Sequence, residues 1–263
     1  MNTMDDVVKD LGVQGRRVAF FGGSFDPPHL GHLAVARAAR DAFNLDTVLF
    51  APVGAQPLKR NGSMASFEDR VELTRLAIAD EPGFAVSLAD APKSSGAPNY
   101  TIDTLLGLRA QLPADAALFC LMGADSFFGL RQWHRSAEIP FIAPLIVASR
   151  PAERPQFRPQ LRPNSLLADL KLALPAGLTI EPESGSAEFR SGSEGRVCEV
   201  RSFLVRNSGG QQTHLYLLPG LDVEISASEI REQVRATLGD LASAHRVLPD
   251  AVLEAIRARR LYQ

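Results

Sequence analysis

Two histidines, His29 and His32, stand three residues apart in GGSFDPPHLGH, residues 22–32, directly after the apolar run Val18 to Phe21. That spacing puts both imidazoles on one side of a first helical turn, where they can reach two oxygens of one polyphosphate. Gly22 and Gly23 bring the backbone close to a ligand, because glycine has no side chain in the way and tolerates positive φ. Pro27 and Pro28 stiffen the exit from the turn. A helix starting near Leu30 would aim unpaired N–H groups and its positive end at the same place, which favours an anion. Zinc would need a third ligand, and the chain has no HExxH and no cysteine cluster to supply one. The turn is neither a P-loop, GxxxxGK[ST], nor a GxGxxG dinucleotide fingerprint.

The elements that must hold this turn follow from hydrophobic period. Val18 to Phe21, Val48 to Val53, Phe84 to Leu88, Ala117 to Met122, Leu145 to Ala148 and Leu215 to Leu218 read as strands; Leu30 to Phe43, Phe67 to Ala79, Ile102 to Leu112 and Ser126 to Trp133 read as helices. Ser66 with Asp69, and Ser226 with Glu229, fit the capping box, and Pro249 suits the first turn of a last helix running to about Arg260. Alternation of strand and helix predicts an α/β fold: a Rossmann-like doubly wound, mostly parallel sheet with helices on both faces. Residues 1–15 read as an N-terminal extension and 16–263 as one domain. Residues 151–212 break the rhythm with PAERPQFRPQLRP, SGSAEFRSGSEG and NSGGQQ around a short apolar patch, VCEVRSFLV, and read as a solvated or partly disordered surface insertion.

Composition bounds the function classes. The 263 residues are 45% apolar and 22% charged, with a formal net charge of -2. No polybasic face for nucleic acid is implied. Cys120 and Cys198 lie far apart without a CxxC pattern, which suits a reduced, cytoplasmic setting better than a disulfide framework. Neither a signal peptide nor a stretch of about 18 apolar residues occurs, so no membrane insertion is expected.

FGGSFDPPHLGH resembles the signature of the HxGH nucleotidyltransferase superfamily. That superfamily's second signature, an ISSTxIR-type stretch, is matched by ISASEIR, Ile225 to Arg231. Following a predicted strand and a Pro-Gly turn, the hydroxyl, free amides and guanidinium of that stretch form a second anion-binding corner. Asn99-Tyr100-Thr101 followed by IDTL, Gly123-Ala124-Asp125-Ser126 with Trp133 eight residues after the aspartate, and APVGAQPLK, Ala51 to Lys59, are similar to the bacterial nicotinate-nucleotide adenylyltransferases. The resemblance covers about residues 16–150 and 213–261.

It implies transfer of AMP from ATP to nicotinate mononucleotide, giving deamido-NAD and pyrophosphate. By resemblance, His29 and His32 contact the triphosphate, with His32 against the transferring α-phosphate, and Ser228 and Arg231 hold the leaving end. Gly22, Gly23, Ser24 and Phe25 line the floor, Ile225 and Ser226 complete the ATP corner, and Gly123 and Asp125 face the adenylate. Ser24, Lys59, Tyr100, Thr101 and Trp133 take the nicotinate nucleotide, with backbone amides at Tyr100-Thr101 for its carboxylate and Trp133 stacked on its ring. Asp103 is the group that could reverse a preference for the acid, were it turned into the pocket. A Mg²⁺ ion is expected on the ATP phosphates, held mostly by water and with no protein ligand assigned. A homo-oligomer is compatible with the sequence. Two alternatives remain open at this stage: phosphopantetheine adenylyltransferase, and a nucleotide-sensing module without chemistry.

Overall fold

The computed structural model describes residues 15–58, 62–149, 166–191, 196–218, 227–236 and 247–263. Nearly all of the N-terminal extension, together with Lys59, Ile225, Ser226 and the proposed cap at Ser226, lies outside the described residues. The strands are β1 (Arg17–Gly23), β2 (Thr47–Pro52), β3 (Phe84–Val86), β4 (Ala117–Gly123), β5 (Leu145–Ala148), β6 (Leu178–Ser191), β7 (Arg196–Asn207) and β8 (Gln212–Leu218). The helices are α1 (Leu30–Phe43), α2 (Phe67–Ile78), α3 (Thr101–Gln111), α4 (Ala124–Phe128), α5 (Ile139–Ile142), α6 (Leu166–Ala173), α7 (Ala227–Ala236) and α8 (Asp250–Arg259).

All eight strands form one sheet in the order β3-β2-β1-β4-β5-β8-β7-β6. The six from β3 to β8 are parallel, and β7 and β6 add an antiparallel edge. Successive strand residues point to opposite faces, and the sequence fills both. Ala19, Phe21, Phe119, Leu121 and Ile146 pack against α1, α2, α7 and α8, whereas Val18, Phe20, Leu118, Cys120 and Val147 pack against α3, α4, α5 and α6. That is the doubly wound arrangement the alternation predicts. The order reverses between β1 and β4, and a crevice at their carboxyl ends is where such sheets bind ligands.

Three expectations need correction. The helix read over Ser126 to Trp133 is two pieces, α4 and a 3₁₀ turn at Leu130–Gln132, separated by Gly129, a poor helix residue, with Trp133 extended at the end. The strand read over Phe84 to Leu88 stops at Val86. The described part of residues 151–212 is not a solvated insertion. It supplies α6 and the β6–β7 hairpin, and buries Leu170, Leu174, Ile180, Phe203 and Val205 in the core. Its charged and glycine-rich ends mask the alternation within VCEVRSFLV, which is β7.

Candidate active site

The end of β1 opens directly into the turn Ser24 to His29. Gly22 and Gly23 are there for packing rather than for positive φ: an added Cβ would sit 2.8 Å from the Phe20 ring at Gly22 and 3.2 Å from the Phe25 ring at Gly23. The left-handed residue of the turn is Phe25, at φ 46°, and the Asp26–Pro27 bond is cis. Phe25 is buried and packs edge-on against Phe21 at 5.6 Å and His32 at 4.9 Å between ring centroids.

His29 is the N-cap of α1 and is 3% exposed; its ring stacks on His32 at 3.8 Å and 29°. The His29 N–H donates to His32 Nδ1 at 3.2 Å. Acting as acceptor there, the neutral His32 ring carries its proton on Nε2. The expected row of open amides at this helix end is partly taken. Leu30 N–H donates to the Val247 carbonyl and His32 N–H to the His29 carbonyl, both at 2.9 Å. An anion placed at this end would meet the imidazoles and the helix end together.

The second signature meets the first through Asp26. Arg231 Nη1 donates to the Asp26 carbonyl at 2.7 Å across 205 positions, and its Nη2 to Ser228 Oγ at 3.3 Å. The Asp26 carboxylate, 4% exposed, accepts from Met64 N–H at 2.7 Å, Ala65 N–H at 3.1 Å and the Tyr262 hydroxyl at 2.9 Å. Beneath the turn, buried Arg70 donates to the Ser24 carbonyl at 2.7 Å and the Val53 carbonyl at 2.8 Å, tying the ends of β1 and β2 together. Desolvation holds Arg70 below the usual arginine pKa.

One cleft of about 860 Å³ lies at the strand-order reversal, in front of this turn. Gly22, Gly23, Ser24, Phe25, His29 and His32 form one wall, Ser228 and Arg231 an adjoining corner, and Gly123 and exposed Asp125 the opening beyond β4. Tyr100, Thr101 and Trp133 border the other end. Thr101 is the first residue of α3, so its N–H has no intrahelical acceptor. Asp103 is not part of the wall; its carboxylate lies 3.7 Å from Lys93 Nζ at the surface. Every described residue that the resemblance assigned to the site is therefore brought to this cleft.

Sequence reading missed three contributors. His134, a neighbour of Trp133 that no spacing rule singles out, packs on Tyr100 with the rings tilted by 35° at 4.5 Å between centroids. Gln56 accepts from Ser24 Oγ at 3.2 Å. Asp90 borders the cleft yet is buried, and Thr104 Oγ1 donates to it at 2.6 Å. Desolvation, against the Thr104 bond and the Lys93 charge, raises the Asp90 pKa. The folded state therefore holds this proton more tightly than the unfolded chain, and stability from Asp90 is lost as pH rises from the ordinary aspartate value through the raised one. Asp90→Asn is expected to remove that loss. The difference in melting temperature between variant and wild type should move in the variant's favour across that window; a pH-independent difference would contradict it.

A doubly wound sheet with a phosphate-suited cleft at its reversal, shared by two distant anion-binding motifs, defines a nucleotidyltransferase. The profile of the cytidylyltransferase-like family matches residues 20–233. A Citrifermentans bemidjiense protein named "Probable nicotinate-nucleotide adenylyltransferase" is 33% identical over 94% of this chain and 98% of its own length. A Pseudomonas paraeruginosa protein of the same name is 32% identical over 95% of this chain and 98% of its own. The chain belongs to the nicotinate-nucleotide adenylyltransferase family and is an enzyme of that kind. These alignments run through residues 151–212, which the motif resemblance leaves uncovered. Plasmodium falciparum nicotinic acid mononucleotide adenylyltransferase complexed with NaAD shares the fold, with a TM-score of 0.58 at 14% identity over 94% of this chain and 98% of that one. Among the described residues no helix is long and apolar enough to cross a membrane.

Proposed function

We propose that this cleft transfers AMP from ATP to nicotinate mononucleotide, giving deamido-NAD and pyrophosphate, with His29, His32, Ser228 and Arg231 acting on the triphosphate. The observation that carries the reading is the convergence of residues 22–32 and 228–231 on one cleft, joined by the Arg231 bond to the Asp26 carbonyl at 2.7 Å. The acceptor phosphate is already an anion at neutral pH and is its own nucleophile. One of its oxygens forms a bond to the α-phosphorus as the bond from that phosphorus to the bridging oxygen breaks, and pyrophosphate leaves with the electron pair. No general base or covalent enzyme intermediate is required. The barrier is the approach of two polyanions and the charge that builds on the leaving group, so alignment and fixed donors carry catalysis.

His32, with its proton on Nε2, offers a donor to the α-phosphate, and His29 stacked beside it supports the neighbouring oxygens. Arg231 and Ser228 neutralise the leaving end. Gly22, Gly23, Ser24 and Phe25 form the floor, and Gly123 and Asp125 take the adenylate. Among the described residues no group of three His, Cys, Asp or Glu side chains stands ready to hold a metal ion. These residues do not form a resident Mg²⁺ site; an ion would come with ATP, and no step is derived through it. ATP as co-substrate and the free thiol of Cys120 suit the cytoplasm.

Substrate choice rests on charge at the Tyr100 end. A carboxylate suits a helix start, where the attraction is worth up to about 2 kcal/mol when partly buried, whereas an amide would set its own NH₂ against N–H donors. With Asp103 held at the surface by Lys93, no acceptor from that residue offsets the preference. Nicotinate mononucleotide is expected to exceed nicotinamide mononucleotide in kcat/KM by at least about tenfold. Trp133→Ala is expected to weaken both, because stacking serves either ring. Pyrophosphate release with ATP, Mg²⁺ and each acceptor, phosphopantetheine included, tests the reading. Equal rates with the two pyridine nucleotides would remove the role of the α3 amides, and release only with phosphopantetheine would replace the substrate.

A further inference from the structure

The phosphate-binding turn is closed from behind by the other end of the chain. Residue 262 is the last but one, yet the Tyr262 side chain is only 5% exposed, and its hydroxyl donates to Asp26 Oδ1 at 2.9 Å. The backbone turns it inward: α8 ends at Arg259, and Arg260 and Tyr262 both have left-handed conformations, at φ 52° and 66°. Arg259 fixes α8 to α2 by donating to Asp69 at 2.9 Å. Asp69 in turn receives the Ser66 hydroxyl at 2.7 Å, so the end of α8 is tied to the start of α2 just before Tyr262.

Asp26 is the hinge of this arrangement. Its carboxylate collects Tyr262 and two backbone amides, while its carbonyl receives Arg231, the guanidinium of the triphosphate corner. One residue thus sets the position of both signature motifs, and the carboxylate end of it is where the C-terminus acts.

We propose that Tyr262 is a positioning residue for adenylyl transfer: by holding the Asp26 carboxylate it fixes the Asp26 carbonyl on which Arg231 is seated, and so sets the guanidinium against the leaving pyrophosphate. Tyr262 touches no substrate. Its phenol remains protonated and able to donate, since burial first, then the charge and hydrogen bond of Asp26, push its pKa upward. A hydrogen bond to a buried carboxylate orients that group as well as stabilising it, and loss of orientation a few ångströms from the reacting atoms is felt in the rate.

This inference rests on the reaction proposed above, and the experiment separates the two. Full-length wild type, Tyr262→Phe, Arg231→Lys and the double variant are assayed by pyrophosphate release with ATP, Mg²⁺ and nicotinate mononucleotide. Melting curves are recorded for each, and rates are normalised to folded protein. Tyr262→Phe keeps the ring in its packed place and removes only the hydroxyl. It is expected to lower kcat by about tenfold, with KM for nicotinate mononucleotide within about twofold of wild type. In the Arg231→Lys background the same change is expected to lower kcat by less than about twofold, because the seat it maintains no longer holds the guanidinium fork. Equal factors in both backgrounds, or a normalised kcat unchanged by Tyr262→Phe, would overturn the inference. Wild type that releases no pyrophosphate with this acceptor would instead overturn the reaction.

Discussion

Replacing His32 with alanine is expected to lower kcat by at least about a hundredfold while the chain stays folded. One preorganised donor aimed at developing charge is worth roughly 3 kcal/mol. The His32 ring is fixed by three neighbours: His29 stacked at 3.8 Å, Phe25 at 4.9 Å and Phe21 at 6.1 Å between centroids. Its Nδ1 is committed to the His29 N–H, which sets the tautomer. Alanine removes all of this at once, so a modest drop in melting temperature accompanies the rate loss. The turn itself persists, because Arg70, Arg231 and Tyr262 hold Ser24 and Asp26 from other directions. Steady-state pyrophosphate release and a melting curve on the same preparation check both halves; comparable turnover in variant and wild type would take His32 out of the mechanism.

Replacing residues 152–211 with a short glycine-serine linker is expected to leave no soluble folded enzyme, the opposite of what a solvated insertion would allow. Loop closure alone would tolerate the change, since its cost rises slowly with length. Packing does not. Leu170, Leu174, Ile180, Phe203 and Val205 leave the core with the segment, at about 1.5–3 kcal/mol for each such side chain. That loss is comparable with the whole stability of an ordinary domain, about 5–15 kcal/mol. β8 would also lose its partner along the pairs from Arg201↔Leu217 to Arg206↔Gln212 and become a bare edge beside β5. Size-exclusion chromatography and circular dichroism of the shortened chain decide the matter: a monodisperse, helical, active product would show that β8 needs no cover.

The two outcomes mark where sequence was readable. The parallel part of the sheet was legible because its strands are short apolar runs separated by helices of clear period, and Phe21, Val48, Leu121 and Ile146 sit where that pattern puts them. The cleft was legible because both motifs have fixed spacing and uncommon residue types. The hairpin was hidden, since β6 carries Pro182 and ends among serine, glycine and charged residues that favour a loop on composition alone. Arg70 and Tyr262 were hidden for another reason: a buried arginine bonded to two carbonyls and a phenol bonded to an aspartate 236 positions away leave no local signature. Asp90 likewise looks like any loop aspartate until its burial is seen.

The Asp26 to Tyr262 contact also orders events in time. A pair separated by 236 positions closes a very long loop, so it forms late, after the local contacts of each segment. The turn after β1 is built from adjacent residues, but the bond that holds its Asp26 carboxylate comes from a side chain 236 positions later. The slow, non-local part of folding therefore ends at the cleft itself, and a chain in which α8 has not yet docked carries every residue of both signatures without the tie at Asp26.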